Sequence, residues 1–255
     1  MKTADPFRAY RAQKTHQRSR GNASSELIYG RNPVMEALSS ESRTFHEIIV
    51  LPQHQEEFTR AAKGIPVRTA QREDLEKITL SRNHQGVAAR VSPYRYAALD
   101  DLMSLDTLVL LDSVEDPQNL GSIIRTAYAL AGAGVIIPEH RAASVTPAVV
   151  KASSGATEHT RIALVQNLKD ACREVKKHGF WLVGLDVTAK EDLRGIPGFD
   201  KVGIVLGGED SGIRPIIARE IDLVARIPMK GDFNSLNVSQ ACTIALYELT
   251  GRNRP

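Results

Sequence analysis

From about residue 26 onward, apolar and polar positions switch between a period of two and a period of three to four. That alternation predicts short strands and helices in turn. Residues 26–30 lead into a helix near 32–38, with Asn32-Pro33 as its start and proline at the first helical position. FHEIIVL (45–51) reads as a strand, 53–63 as a helix, PVRTA as a short strand, 71–78 as a helix and QGVAARV (85–91) as a strand. Residues 26–92 therefore form a small α/β domain. SPYRYAALDDLMSLD (92–106) holds turn formers and acids without a long apolar stretch, which makes 93–106 the linker.

TLVLLDSV then opens a second alternation with a nearly continuous apolar strand, of the kind buried on both faces of a parallel sheet. Helices are expected over 118–131, 146–152, 168–178, 214–220 and 236–250. Strands are expected at 135–137, TRIALV, FWLVGLDV, VGIVLGG and LVARIPM. Residues 107–255 thus read as an open α/β sheet, a fold class that binds ligands outside the carboxyl ends of its strands.

Composition adds a soluble globular character, with 42% apolar and 25% charged residues in 255. No run approaches the ~20 apolar residues that span a bilayer, and no membrane partner is expected. No apolar signal segment opens the chain. Cys172 and Cys242 stand far apart, outside any CxxC or Cys/His cluster, so no metal site is expected and a reducing compartment fits. The net charge of +3 is unevenly spread. Residues 1–25 carry six basic side chains and one acid, and the rest of the chain sums to −2. That tail reads as disordered when free and as an electrostatic arm for phosphate backbones. A solvating terminus and an Arg-rich organellar transit peptide are the competing readings, so the expected location is cytoplasmic, or organellar in the last case.

Three strand ends in the second alternation carry unusual sequence: LLDSVEDPQNLGSIIRTA (110–127), IVLGGEDSGI (204–213) and IPMKGDFNSLNVSQA (227–241). Each has an innocent reading as turn or cap. Gln118 or Asn119 could cap one helix and Ser235 or Asn234 another. Their shared placement in one crevice weakens that reading, and Asn119, Arg125, Glu209, Ser235 and Asn237 would line a single pocket. Asn119 and Arg125 are six residues apart and cannot share one helical face, so both reach a site only if Asn119 belongs to the loop before the helix. There is no GxGxxG turn, GxSxG elbow or phosphate-loop lysine. His84, in SRNHQGVAAR, has a turn role or a place in an RNA-contacting loop.

In order and spacing, DSVEDPQNLGSIIRTA, VLGGEDSGI and IPMKGDFNSLNVSQA resemble the three motifs of SpoU (TrmH-type) 2′-O-ribose RNA methyltransferases of the SPOUT superfamily. LIYGRNPVMEAL and NHQGVAARV resemble the start and finish of that family's small substrate-binding domain, which is similar to ribosomal protein L30e. The resemblance spans about 26–250 and departs at DFN before SLNVS, an unusual filling of a variable loop, and at Asp210, an acid where a small or basic residue is commoner.

The resemblance implies an L30e-like domain followed by an α/β-knot domain with a deep trefoil knot, and S-adenosylmethionine bound in bent form. It implies cofactor contacts at Gly207, Ile227 and Leu236, with Met229 and Leu206 close by. Asn119, Arg125, Glu209 and Asn237 match the family's active-site positions, with Ser235 beside them. Arg125 is implied either as the base that takes the ribose proton or as a phosphate anchor. The sulfonium loses its charge on methyl transfer, so the chemistry calls for no metal. A homodimer whose site is completed across the interface is implied as well. The small domain and its HQGV motif look most like the branch that modifies a guanosine in large-subunit ribosomal RNA. Transfer RNA is the alternative substrate, and a non-catalytic RNA-binding or ribosome-assembly factor is the alternative function.

Overall fold

The computed structural model describes residues 25–208, 212–231 and 235–251; the basic tail, Glu209 and Asp210 lie outside the described residues. The first domain contains β1 (Glu26–Tyr29), α1 (Arg31–Ser40), β2 (Phe45–Val50), α2 (Gln55–Ala61), β3 (Val67–Thr69), α3 (Arg72–Thr79) and β4 (Val87–Val91). Its sheet runs β1-β4-β2-β3, antiparallel except for the parallel β2–β3 pair. Two of the differences from the expected boundaries have a local cause. Helix α1 starts at Arg31 because Gly30, at φ 105°, makes the turn into it. Pro33 is therefore its third residue, tolerated because first-turn amides have no intrahelical partner. The helix expected over 53–63 is a 3-10 turn at Pro52–His54 followed by α2.

The second domain contains β5 (Thr107–Asp112), α4 (Pro117–Ala131), β6 (Gly134–Pro138), α5 (Pro147–Ala152), β7 (Ile162–Val165), α6 (Leu168–Lys177), β8 (Trp181–Leu185), β9 (Glu191–Asp192), β10 (Val202–Gly207), α7 (Pro215–Ala218), β11 (Leu223–Arg226) and α8 (Val238–Gly251). Its seven strands are ordered β7-β6-β5-β10-β8-β11-β9 and every pair is parallel. Every residue of β5 is buried, as expected for a strand covered on both faces. The two-residue β9 is too short for periodicity to reveal. Helix α8 packs on α4 and on β10.

The segment 93–106 is well packed. Ala97 bridges to Ala163 beside β7, and a 3-10 helix at Leu99–Ser104 buries Leu102 and Met103. The two domains also share one apolar cluster, in which Ile28 and Val34 join Leu120 and Val149. At their junction the Arg43 guanidinium donates to both oxygens of Glu158 at 2.9 Å. Their side chains are only 2% and 0% exposed. Burial works against the Arg43 charge, but hydrogen bonds and attraction from Glu158 and Glu26 outweigh it and hold its pKa above the ordinary value.

Candidate functional site

Parallel strands deliver their carboxyl ends to one edge of the sheet. A cleft of about 250 Å³ opens there, past the ends of β8, β10 and β11 and before α8. Leu206, Gly207, Ile227, Met229 and Leu236, the five positions implied to hold a cofactor, all line it. The wall after β10 is built on glycine. A Cβ on Gly207 would lie 2.0 Å from the carbonyl carbon of Gly212, and one on Gly208 would lie 2.4 Å from the Ser113 oxygen. Neither position has room for a side chain, and the Gly212 amide closes the turn on the Gly208 carbonyl at 2.9 Å.

An ion pair ties this wall to β5. Asp112, fully buried, is in register with Gly207. It accepts from the Arg214 amide at 2.8 Å and from the Arg214 Nε at 2.7 Å. The turn after β5 places Ser113 at φ 64°, which brings the chain round to α4. Asp116 caps that helix, accepting from the amides of Gln118 and Asn119, and Pro117 occupies its first position. Asp116 thus takes the capping role open to Gln118 or Asn119.

Asn119 consequently lies in the first turn of α4 and is buried, not in the preceding loop. Its Oδ1 accepts from Asn237 Nδ2 at 2.9 Å. Asn237 is also the cap of α8: its Oδ1 accepts from the Ser239 amide at 2.9 Å and from the Ser239 hydroxyl at 2.6 Å. Ser235 lines the cleft, and Asn234 lies outside the described residues. The asparagine pair stands at the rim, because Leu236 and Val238, on either side of Asn237, both line the cleft.

Arg125 is placed elsewhere. Six residues of helix carry it about 9 Å along the axis and turn it away from Asn119. It is exposed, and its Nη1 donates to Ser154 Oγ at 3.1 Å. The single chain therefore puts Ser235 in the cleft lining and joins Asn119 to Asn237, which stands between two lining residues, but leaves Arg125 exposed on α4. Residues absent from the sequence expectation also line the cleft, namely Leu185, Asp186, Val187, Gly208, Gly212, Val238 and Ala241. For Asp186 a signal existed. FWLVGLDV ends at the same sheet edge as the three recognised segments, but reading it as strand throughout hid its last residues.

His84 has the turn role. Its ring is 1% exposed and Nδ1 accepts from the Gly86 amide at 2.9 Å, which requires an unprotonated Nδ1. Burial, with Arg72 and Lys151 nearby, lowers its pKa. Gln85 beside it accepts from Lys151 Nζ at 2.6 Å, so this loop touches the second domain. Burial pushes both cysteine thiols up to about 12, which rules them out as nucleophiles near neutral pH. Among the described residues no His, Cys, Asp and Glu side chains gather into a group able to hold a metal ion. None of the described helices is long and apolar enough to cross a membrane.

Residues 106–247 match the SpoU rRNA methylase family, and residues 27–97 match the substrate-binding domain of RNA 2′-O ribose methyltransferases. The chain belongs to the SpoU rRNA methylase family. This SpoU protein is 37% identical over 242 residues to YacO of Bacillus subtilis (strain 168), which is assigned to the TrmH family of tRNA/rRNA methyltransferases. That alignment covers 90% of this chain and 97% of YacO. In structure it is similar to an AdoMet-bound rRNA methyltransferase from Sinorhizobium meliloti (TM-score 0.78, 27% identity, 96% of this chain and 92% of that one). It is also similar to the SpoU methyltransferase AviRb from Streptomyces viridochromogenes (TM-score 0.76, 26% identity, 90% of each chain). The protein is an RNA methyltransferase of this family.

Proposed function

We propose that this SpoU protein uses S-adenosylmethionine to methylate the 2′-hydroxyl of a guanosine ribose in large-subunit ribosomal RNA, and that it works as a homodimer with a knotted second domain. The observation that carries this reading is the cleft itself. Its donor set fits the cofactor: apolar walls from Leu206, Ile227 and Leu236 suit an adenine, and side-chain-free backbone at Gly207 and Gly208 suits close approach of a ligand. The cofactor supplies a methyl group on a positively charged sulfur.

The protein's own task is to present the ribose oxygen in line with that methyl group and to let its proton leave. In this reading Asn237, fixed by the α8 cap and by Asn119, orients the ribose at the cleft rim, with Ser235 as its neighbour. Arginine keeps its proton in water, so Arg125 serves by holding the phosphate beside the target ribose. Its outward position suits a site shared between two copies. Arg125, Tyr128 and Tyr247 are exposed on the outer faces of the packed helices α4 and α8, and pairing there delivers Arg125 to the partner's cleft.

Two experiments test the reading. Mapping 2′-O-methyl groups in ribosomal and transfer RNA with and without the gene is expected to show one guanosine lost from large-subunit RNA; loss from transfer RNA instead would favour the alternative substrate. Mixing Arg125→Ala with Leu236→Arg protomers tests the shared site. A shared site predicts recovery of about a quarter of wild-type activity, because half the dimers are mixed and each holds one intact site. No recovery would place Arg125 in its own chain's site.

A further inference from the structure

Asp186 is the one carboxylate among the described residues of the cleft wall. Its Oδ1 is held from behind by the Thr188 amide at 2.8 Å and the Thr188 hydroxyl at 2.7 Å, and its own amide donates to the Ala225 carbonyl at 3.0 Å. The carboxylate is thus fixed as an acceptor at the end of β8, between Leu185 and Val187, which also line the cleft. An ionised carboxylate only accepts hydrogen bonds. The carboxylate is exposed at the cleft, so a ligand resting its apolar part in the slot can meet it with donors placed close to that part.

We propose that Asp186 recognises the cofactor's ribose by accepting hydrogen bonds from its hydroxyl groups. The inference rests on the cleft being the cofactor site. In S-adenosylmethionine the ribose is joined directly to the adenine, so an adenine against Leu206, Ile227 and Leu236 carries its hydroxyls to the neighbouring wall. The amino-acid portion, with its ammonium group, leaves from the far side of the ribose. A carboxylate at the end of a parallel strand meets a ribose in the same manner in dinucleotide-binding sheets. Asp186 thereby gives the site a preference for ribonucleosides over their deoxy counterparts.

Calorimetric titration of the full chain with S-adenosylmethionine, S-adenosylhomocysteine and 5′-methylthioadenosine tests this. All three carry the ribose; the second lacks the sulfonium charge, and the third lacks both that charge and the amino-acid portion. Asp186→Ala is expected to weaken all three about tenfold or more, and Asp186→Asn to weaken them less because its amide oxygen still accepts. Thermal unfolding near the wild-type midpoint would separate this from loss of fold. An unchanged affinity for 5′-methylthioadenosine, or a loss confined to S-adenosylmethionine, would overturn the proposal, since the carboxylate would then be serving the ammonium or the sulfonium. Leu236→Arg, which fills the cleft, checks the reading beneath it. Retained binding in that variant would move the cofactor site elsewhere, independently of what Asp186 does.

Discussion

Asn237 holds two jobs in one side chain. Its oxygen caps α8 through Ser239, and its nitrogen holds Asn119 at 2.9 Å. A serine at this position keeps a capping oxygen, whereas an alanine does not. Replacing a cap by alanine costs about 1 kcal/mol, and exchange among good caps costs less. Asn237→Ser is therefore expected to melt close to the wild type while losing the donor to Asn119, with turnover falling at least tenfold and cofactor affinity little changed. Asn237→Ala should lose both stability and turnover. If Asn237→Ser turns over normally, the residue is a cap and nothing more. The sequence SLNVSQ announced a cap-rich helix start but misplaced the cap: Ser235 or Asn234 was the expected one, and Asn237, an equally good capping type, takes the role. That choice depends on where α8 begins, and Asn119, 118 positions away, helps hold Asn237 there.

Elements were legible wherever one physical pattern dominated. The buried run TLVLLD and the amphipathic α6 appear at the expected places, whereas the start of α4 is capped by Asp116 and not by Gln118 or Asn119. Turns were harder, because their geometry comes from distant partners. Nothing local in VLGGEDSGIR says that Arg214 will seek Asp112, yet that pair closes the β10 turn against β5. Asp112 is fully buried, so removing the guanidinium leaves its charge without a counterion, a loss that costs about 3–5 kcal/mol in buried pairs. The Arg214 amide remains bonded to Asp112 and softens the effect. Arg214→Met is expected to lower the unfolding midpoint and to weaken S-adenosylmethionine binding severalfold, since Gly207, Gly208 and Gly212 all belong to the tied segment. Calorimetry at a temperature where the variant is fully folded checks the second effect. Unchanged affinity there would confine the ion pair to a stabilising role.

At the scale of the whole molecule, the two alternations along the chain indicated two sheets, and two separate sheets are present. Their docking was invisible to a linear reading. Arg43 and Glu158 are 115 positions apart and unremarkable until the fold buries them together. Lys151 and Gln85 add a second bridge beside them. The small domain is thus braced against α5 and the turn that follows it. Charge is the one whole-molecule property the sequence states outright. The tail's excess of +5 stands against a remainder of −2, so the tail is where long-range attraction for RNA is expected. Each phosphate neutralised by a basic side chain releases counterions, and the logarithm of affinity falls by about 0.7–0.9 per phosphate for each logarithm of salt. Deleting residues 1–24 removes all six basic side chains of the tail. The truncated protein is expected to bind RNA more weakly at low salt, with a shallower salt slope and a slower association rate, while its affinity for S-adenosylmethionine stays the same. Filter binding across a salt series reads the slope directly. Equal slopes for both proteins would assign the phosphate contacts to the folded domains.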